Sequence, residues 1–256
     1  MTKDTRILDD RVAMITGAST GIGAAAARLF SAHGAAVVLM ARRGHLLDSL
    51  VDGITADGGR AVAVVGDVRD PEDVRRVVDT AVQNFGRLDA AFNNAGHATL
   101  GQDLHEMPDE DFDLVMDVNV RGVWNCLRHQ VRAMLPTGGG AIVNTASVAG
   151  LLATGVGAPY VAAKHAVIGL TKAAAAEYGT RGIRVNALAV GSTRTEMMES
   201  VIETVPGVEQ HFFARAIQQR MADPTEVAQA ALWLCSDASS FVTGATVPVD
   251  GGVTAI

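Results

Sequence analysis

Aromatic side chains make up only 4% of the 256 residues, a scarcity that argues against an aromatic-rich β-sandwich core. Cysteine is almost absent as well. Cys126 and Cys235 stand far apart in apolar periodic stretches, with no Cys-x-x-Cys and no histidine cluster beside them. A thiolate zinc site is thereby excluded, no metal site is expected, and both cysteines read as buried free thiols. The chain also lacks any apolar run near the ~20 residues that span a bilayer, Ala35 to Ala41 being among the longest. It has no block of basic residues, and its formal net charge of −7 argues against nucleic acid or an anionic membrane as partner. Met1 to Asp10 is polar, without the apolar centre of a secretory signal, so a cytoplasmic protein is expected. Without a Pro- or Ser-rich linker, a low-complexity tract or an internal repeat, residues 1–256 are expected to form one domain. A small molecule is the partner class that remains.

What is present is alanine, valine and glycine in a regular rhythm. Apolar runs of strand length recur at Val12–Thr16, Ala36–Met40, Ala61–Val65, Leu88–Phe92, Ala141–Asn144, Ile183–Ala189 and Thr246–Val249. Between them, 3.6-residue periodicity predicts helices over Ile22–His33, His45–Ala56, Glu72–Phe85, Asp109–Met134, Tyr160–Tyr178 and Thr225–Leu234. Asp70-Pro71-Glu72 and Asp223-Pro224-Thr225-Glu226 each offer a cap, a first-turn proline and an acid. The βα alternation predicts an α/β fold: a single doubly wound, Rossmann-like domain of about seven parallel strands with helices on both faces. Gly191 to Ala222 breaks the rhythm, mixing Thr, Glu, Met, Pro and Gln without a firm period, and reads as a mobile helical lid.

The first predicted strand runs into Thr16-Gly17-Ala18-Ser19-Thr20-Gly21-Ile22-Gly23 and then an alanine-rich helix. Glycines there allow a sharp turn and close approach of a pyrophosphate to free N–H groups at a helix N-terminus, although a tight βα turn needs glycine on steric grounds alone. Tyr160 and Lys164, four residues apart, share one helix face. The Lys164 ammonium is expected to stabilise a Tyr160 phenolate and lower its pKa, making it a usable proton acceptor. A core tyrosine beside a solvated lysine has the same spacing. Ser147 follows the strand Ala141–Asn144, where a serine also serves as a turn or cap.

Taken in order and spacing, these residues resemble the short-chain dehydrogenase/reductase family, whose glycine motif is T-G-x-x-x-G-x-G. The resemblance covers nearly the whole chain, through Asp67-Val68, Asn93-Asn94-Ala95-Gly96, Asn119, Ser147, Tyr160 and Lys164. It implies that Gly17, Ser19, Thr20, Gly21, Ile22 and Gly23 cradle a nicotinamide dinucleotide, that Asp67 and Val68 border its adenine, and that Asn93, Asn94, Ala95 and Gly96 close the floor beneath it. It further implies that Tyr160 exchanges a proton with the substrate oxygen, Ser147 polarises the carbonyl, Lys164 bonds the nicotinamide ribose, and Asn119 holds a relay water. Val190 stands where the family has proline; with Gly191, Thr193 and Thr195 it would meet the nicotinamide end. The substrate side would comprise His97, Ala149 and the residues up to Val156, with Met197, Met198 and Val201 of the lid. His97 in a loop is otherwise an ordinary hydrogen-bonded residue, and the methionines otherwise only pack the lid.

This mostly apolar lining suits a small hydrophobic or alicyclic alcohol or ketone. The stretches Tyr160–Val167 and Asp250–Ile256 are similar to family members acting on cyclic alcohols and diols. At the end of the second strand Ala41 replaces the acid that binds an NAD ribose, and Arg42 and Arg43 follow, so NADP(H) is expected to be preferred, with NAD(H) possible. The expected activity is interconversion of a secondary alcohol and a ketone. The alternatives are an acyl-carrier-protein-linked 3-oxoacyl reductase, with Arg194 and Arg215 as its basic residues, and a non-catalytic nicotinamide-sensing protein. The resemblance also implies a homotetramer built on the helices carrying Asn119 and Tyr160.

Overall fold

Alternation of small apolar residues in short runs commits the centre of the chain to strands buried on both faces. In the computed structural model, which describes residues 6–99, 102–153, 156–204 and 207–256, these runs form a seven-stranded parallel sheet. Its strands are β1 (Val12–Thr16), β2 (Ala36–Ala41), β3 (Arg60–Val65), β4 (Ala90–Asn93), β5 (Gly140–Thr145), β6 (Ile183–Val190) and β7 (Thr246–Val249), in the order β3-β2-β1-β4-β5-β6-β7. The order reverses between β1 and β4, the point at which a doubly wound sheet leaves a crevice beyond the C-terminal ends of its strands.

The helices are α1 (Gly21–Ala32), α2 (Gly44–Ala56), α3 (Pro71–Phe85), α4 (Asp109–Met116), α5 (Gly122–Met134), α6 (Ala158–Tyr178), α7 (Glu196–Thr204), α8 (Val208–Arg215) and α9 (Pro224–Cys235). Period-two alternation divides the central strands between two cores. Ala13, Ile15, Val37 and Leu39 pack with Phe30 of α1, Leu47 of α2 and Val227 of α9. Met14, Val38 and Met40 pack on the other side with Val77 of α3, Leu127 of α5 and Val167 of α6. Both cysteines are buried free thiols, and burial pushes each up to about 12. Among the described residues no helix is long and apolar enough to cross a membrane.

The structure revises several boundaries. The single helix expected over Asp109–Met134 is divided by a π-helical turn at Asp117–Arg121, where the Gly122 N–H reaches back five residues to the Asp117 carbonyl. Hydrophobic periodicity cannot register such a turn, because the apolar stripe continues on both sides. β4 starts at Ala90 instead of Leu88, for the carboxylate of Asp89 accepts the Val12 N–H at 2.9 Å and anchors the start of β1. α6 begins at Ala158, with Pro159 in its first turn.

Residues 191–222 form an excursion rather than an open loop. Ala222 donates to the Ser192 carbonyl at 2.9 Å and accepts the Arg194 N–H at 3.0 Å, so the two ends meet. α7 and α8 lie between them, while Val205 and Pro206 of the expected lid fall outside the described residues.

Candidate active site

At the crevice the glycine turn leaves a helix end without an internal partner. Asp70 caps α3, and Asp223 caps α9 with a reciprocal Glu226 bond. Thr20 makes no side-chain cap on α1, whose first turn also lacks an acid. The leading N–H groups and the positive end of that helix are thus left open toward the crevice. Gly17 (φ 64°) and Gly21 (φ 54°) adopt left-handed conformations, and a Cβ on Gly17 would stand 2.9 Å from the Ala95 Cα. The turn therefore packs directly on the chain leaving β4.

Thr16 closes this junction: its hydroxyl accepts the N–H groups of Asn94 at 3.0 Å and Ala95 at 3.1 Å, while Asn94 Nδ2 donates to the Thr16 carbonyl at 3.3 Å. Asn93, predicted with the floor residues, turns its side chain into the core. Its Nδ2 donates to Gln130 Oε1 at 3.0 Å and Asn144 Oδ1 at 2.9 Å, and Gln130 Nε2 donates back at 2.7 Å. Asn144 continues the chain by donating to the Thr171 hydroxyl at 3.0 Å. β4, α5, β5 and α6 are thereby locked together just below the crevice.

Asn119 is fully buried within the π turn. Its Nδ2 donates to the His97 carbonyl at 2.7 Å, and its Oδ1 accepts the His97 N–H at 3.0 Å. Both ends of its amide are spent fixing the backbone after Gly96, and Gly96 in turn lies against Lys164. Burial, then the positive charge of Arg42, depresses the His97 imidazole, with Asp111 opposing. Asp67 is held by Arg69 in a 2.8 Å ion pair. Burial opposes its ionisation, yet the Arg69 bonds outweigh this and keep its carboxyl below the ordinary value. Val68 is fixed from behind, for a Cβ on Gly122 would stand 2.7 Å from its Cγ2 and Asn125 Nδ2 donates to its carbonyl at 2.9 Å.

Ser147, Tyr160 and Lys164 gather on the far side. Lys164 is buried, its Nζ 5.4 Å from the Tyr160 ring centre and donating to the Thr145 carbonyl at 2.8 Å. Burial drives its pKa down to about 8. The Ser147 hydroxyl accepts the Ala149 N–H at 3.1 Å and is hydrogen-bonded to Tyr160. The expected fall in the Tyr160 pKa is corrected here: burial raises it, with Ser147 pulling in the opposite direction. The ammonium is desolvated too, and the tyrosine's own desolvation prevails.

Of the substrate-side residues, Met197 is exposed and Met198 half-buried on α7, whereas Ala149 is buried and presents almost no surface. Thr154 and Gly155 of that stretch lie outside the described residues. Val190 ends β6 paired with Val249, and the Gly191 N–H bonds the Val249 carbonyl at 3.0 Å, so strand pairing supplies order at the position where proline was expected. Thr193 donates to the Gly191 carbonyl at 3.1 Å, and Thr195 packs its methyl on Gly21. Arg194 faces Glu209 at 3.5 Å.

Residues 17–254 match the family described as Enoyl-(Acyl carrier protein) reductase. The A-factor type gamma-butyrolactone 1'-reductase (1S-forming) of Streptomyces virginiae is 54% identical over 99% of both chains. The 2,5-dichloro-2,5-cyclohexadiene-1,4-diol dehydrogenase of Sphingobium indicum is 43% identical over 97% of this chain and 99% of its own. The crystal structure of levodione reductase superposes with a TM-score of 0.93 at 35% identity, covering 97% of this chain and 99% of that one. The chain belongs to the short-chain dehydrogenase/reductase family. It is accordingly an oxidoreductase of CH–OH groups, in a family that uses a nicotinamide dinucleotide. The open end of α1 and the glycines beside it fit the pyrophosphate of such a cofactor.

Several supporting residues escaped the sequence reading: Gln130, Asn144, Thr171 and Asn125 behind the crevice, the Thr145 carbonyl under Lys164, and Glu196 at its rim. Interior amides and a backbone carbonyl carry no motif. Glu196 had a signal, being the acid directly after Thr195, which was expected to meet the nicotinamide end, at the start of the expected lid.

Burial of Lys164 has a consequence for stability. Below pH 8 the lysine is charged in both folded and unfolded chains, and its desolvation counts fully against folding. Between about 8 and 10.5 the folded protein has released the proton that the unfolded chain still binds, so stability rises with pH. Lys164→Met should therefore unfold at higher urea concentration at pH 7, by about 1–2 kcal/mol after loss of the Thr145 bond, with the advantage shrinking toward pH 10. A variant less stable than wild type at pH 7 would contradict this.

Proposed function

We propose that the protein is an NADP(H)-dependent oxidoreductase interconverting a secondary alcohol and a ketone on a small hydrophobic or alicyclic molecule. The observation that carries this reading is the convergence of Ser147, Tyr160 and the buried Lys164 beside the uncapped start of α1. In this reading the bound nicotinamide supplies or accepts the hydride. Ser147 and Tyr160 direct their hydroxyls to one substrate oxygen; Tyr160 gives its proton to the alkoxide in reduction and takes it in oxidation. Lys164 anchors the ribose and holds positive charge beneath the phenol. Asn119 shapes the backbone wall at His97. Burial holds the Tyr160 phenol above its ordinary pKa, so at neutral pH it carries the proton that it gives in reduction.

Met197 and Met198 on α7 support an apolar substrate, and the names of the two relatives, a butyrolactone reductase and a cyclohexadiene-diol dehydrogenase, support a ring-bearing one. We take residues 191–222, pinned at their two ends, as a lid on one catalytic domain. Assembly as a homotetramer through α5 and α6 is supported by Trp124, exposed under the Arg128 guanidinium at 5.8 Å, and by Ala162 and Gly169, which lie open on α6.

Tyr160→Phe removes only the proton-bearing oxygen. Its kcat should fall by about 10²–10⁴-fold with dinucleotide affinity nearly unchanged, measured against a panel of cyclic ketones; retention of more than about half the wild-type rate would end this assignment. Cofactor choice rests on Ala41 and Arg42, because Arg42 has no ion pair among the described residues and its charge reaches both Asp67 and His97. The ratio of kcat/KM for NADPH over NADH should be about tenfold in wild type, and Arg42→Ala should erase most of it. A wild-type preference for NADH would overturn the assignment.

A further inference from the structure

The end of β2 lacks the acid that would repel a 2′-phosphate, but the fold delivers one from elsewhere in the chain. Glu196, the first residue of α7, meets Arg43 across 153 sequence positions. Arg43 Nη1 donates to Oε1 at 2.9 Å and Nη2 to Oε2 at 2.8 Å, a forked pair that uses the outer edge of the guanidinium. Nη2 also donates to the Thr20 hydroxyl at 2.9 Å and the Ser19 hydroxyl at 3.2 Å. This cluster therefore lies over the glycine turn itself, beside Thr195 and Gly21. Arg42, next to it, has no such partner.

We propose that Glu196 is a specificity-determining residue that restrains the preference for a 2′-phosphorylated cofactor by occupying Arg43. The inference rests on the reading that the end of β2 receives the adenosine ribose. A carboxylate and a phosphate ask for the same forked edge of one guanidinium, and two anions held side by side repel each other. NADP(H) can enlist Arg43 only by displacing Glu196; NAD(H), bearing no 2′-phosphate, leaves the pair in place. Arg42 then provides the discrimination proposed for wild type, and Arg43 is a second phosphate ligand held in reserve. Because Glu196 begins α7, displacement also frees the start of the lid, and by linkage the lid position and the 2′-phosphate must influence each other equally.

The test is equilibrium binding of NADP⁺ and NAD⁺, by calorimetry, to wild type, Glu196→Gln and the double variant Arg43→Ala/Glu196→Gln. Glu196 is exposed, so its substitution does not threaten the fold. Glu196→Gln should raise the ratio of the NAD⁺ to the NADP⁺ dissociation constant by about fivefold, the scale of a partly solvated charge contact. The double variant should lose that gain, and hydrogen exchange over 196–204 should be faster in the wild-type NADP⁺ complex than in the NAD⁺ complex. An unchanged or lower ratio in Glu196→Gln, or a gain that survives removal of Arg43, overturns the role of Glu196 alone. Failure of wild type to bind either dinucleotide overturns the nucleotide reading and this inference with it.

Discussion

A buried ammonium governs the geometry of this crevice. Lys164 enters from α6, reaches the Thr145 carbonyl at 2.8 Å, and cannot move without leaving its charge unpartnered in the interior. Its position fixes the turn of helix carrying Tyr160, and β5 must end where Thr145 can receive it, which sets Ser147 two residues further on. Gly96 passes beside both groups, a Cβ there standing 3.7 Å from Nζ but only 3.1 Å from Asn119 Oδ1, and Asn119 fixes that passage by binding the backbone of His97 at both its polar groups. One desolvated charge thus relates elements from four parts of the chain.

Such a site needs a rigid support, and the structure provides it with amides where a core is usually apolar. Asn93, Gln130, Asn144 and Thr171 are each buried, and they bond one another across β4, α5, β5 and α6. A satisfied network of this kind costs little in stability and permits few alternative packings, whereas a half-satisfied one would be worse than leucine. The opposite rim is built differently, from the exposed Arg43–Glu196 ion pair over the glycine turn, which solvent or a ligand can displace. In the proposed reading the rigid side carries the groups that handle the proton, and the exchangeable side lies at the end of β2, where the adenosine ribose is proposed to sit.

Most of the sheet was legible because its signals are local. Strands two residues out of phase with water, aspartate caps before proline, and glycines at a turn all act within a few positions of one another, and β1, β2, α3 and α9 appear where those signals put them. Family likeness carried the placement of Ser147, Tyr160 and Lys164, and the fold brings the three together. Three features were not legible. The π turn at Asn119 leaves the apolar stripe intact, so periodicity passed over it. The direction of the Tyr160 pKa depends on how much water the fold removes, which spacing alone does not report. The pairing of Arg43 with Glu196 joins residues 153 positions apart, and no local pattern encodes it.

The central claim is that a hydride passes between a nicotinamide and a carbonyl carbon at Tyr160. The most direct measurement uses reduced cofactor deuterated at C4 of the nicotinamide, a cyclic ketone, and mass analysis of the alcohol formed. The account predicts one deuterium at the carbinol carbon from a single face of the cofactor, with transfer abolished when Tyr160, Ser147 and Lys164 are replaced together. Alcohol formed without the label, or labelled alcohol formed equally well by that triple variant, would contradict it.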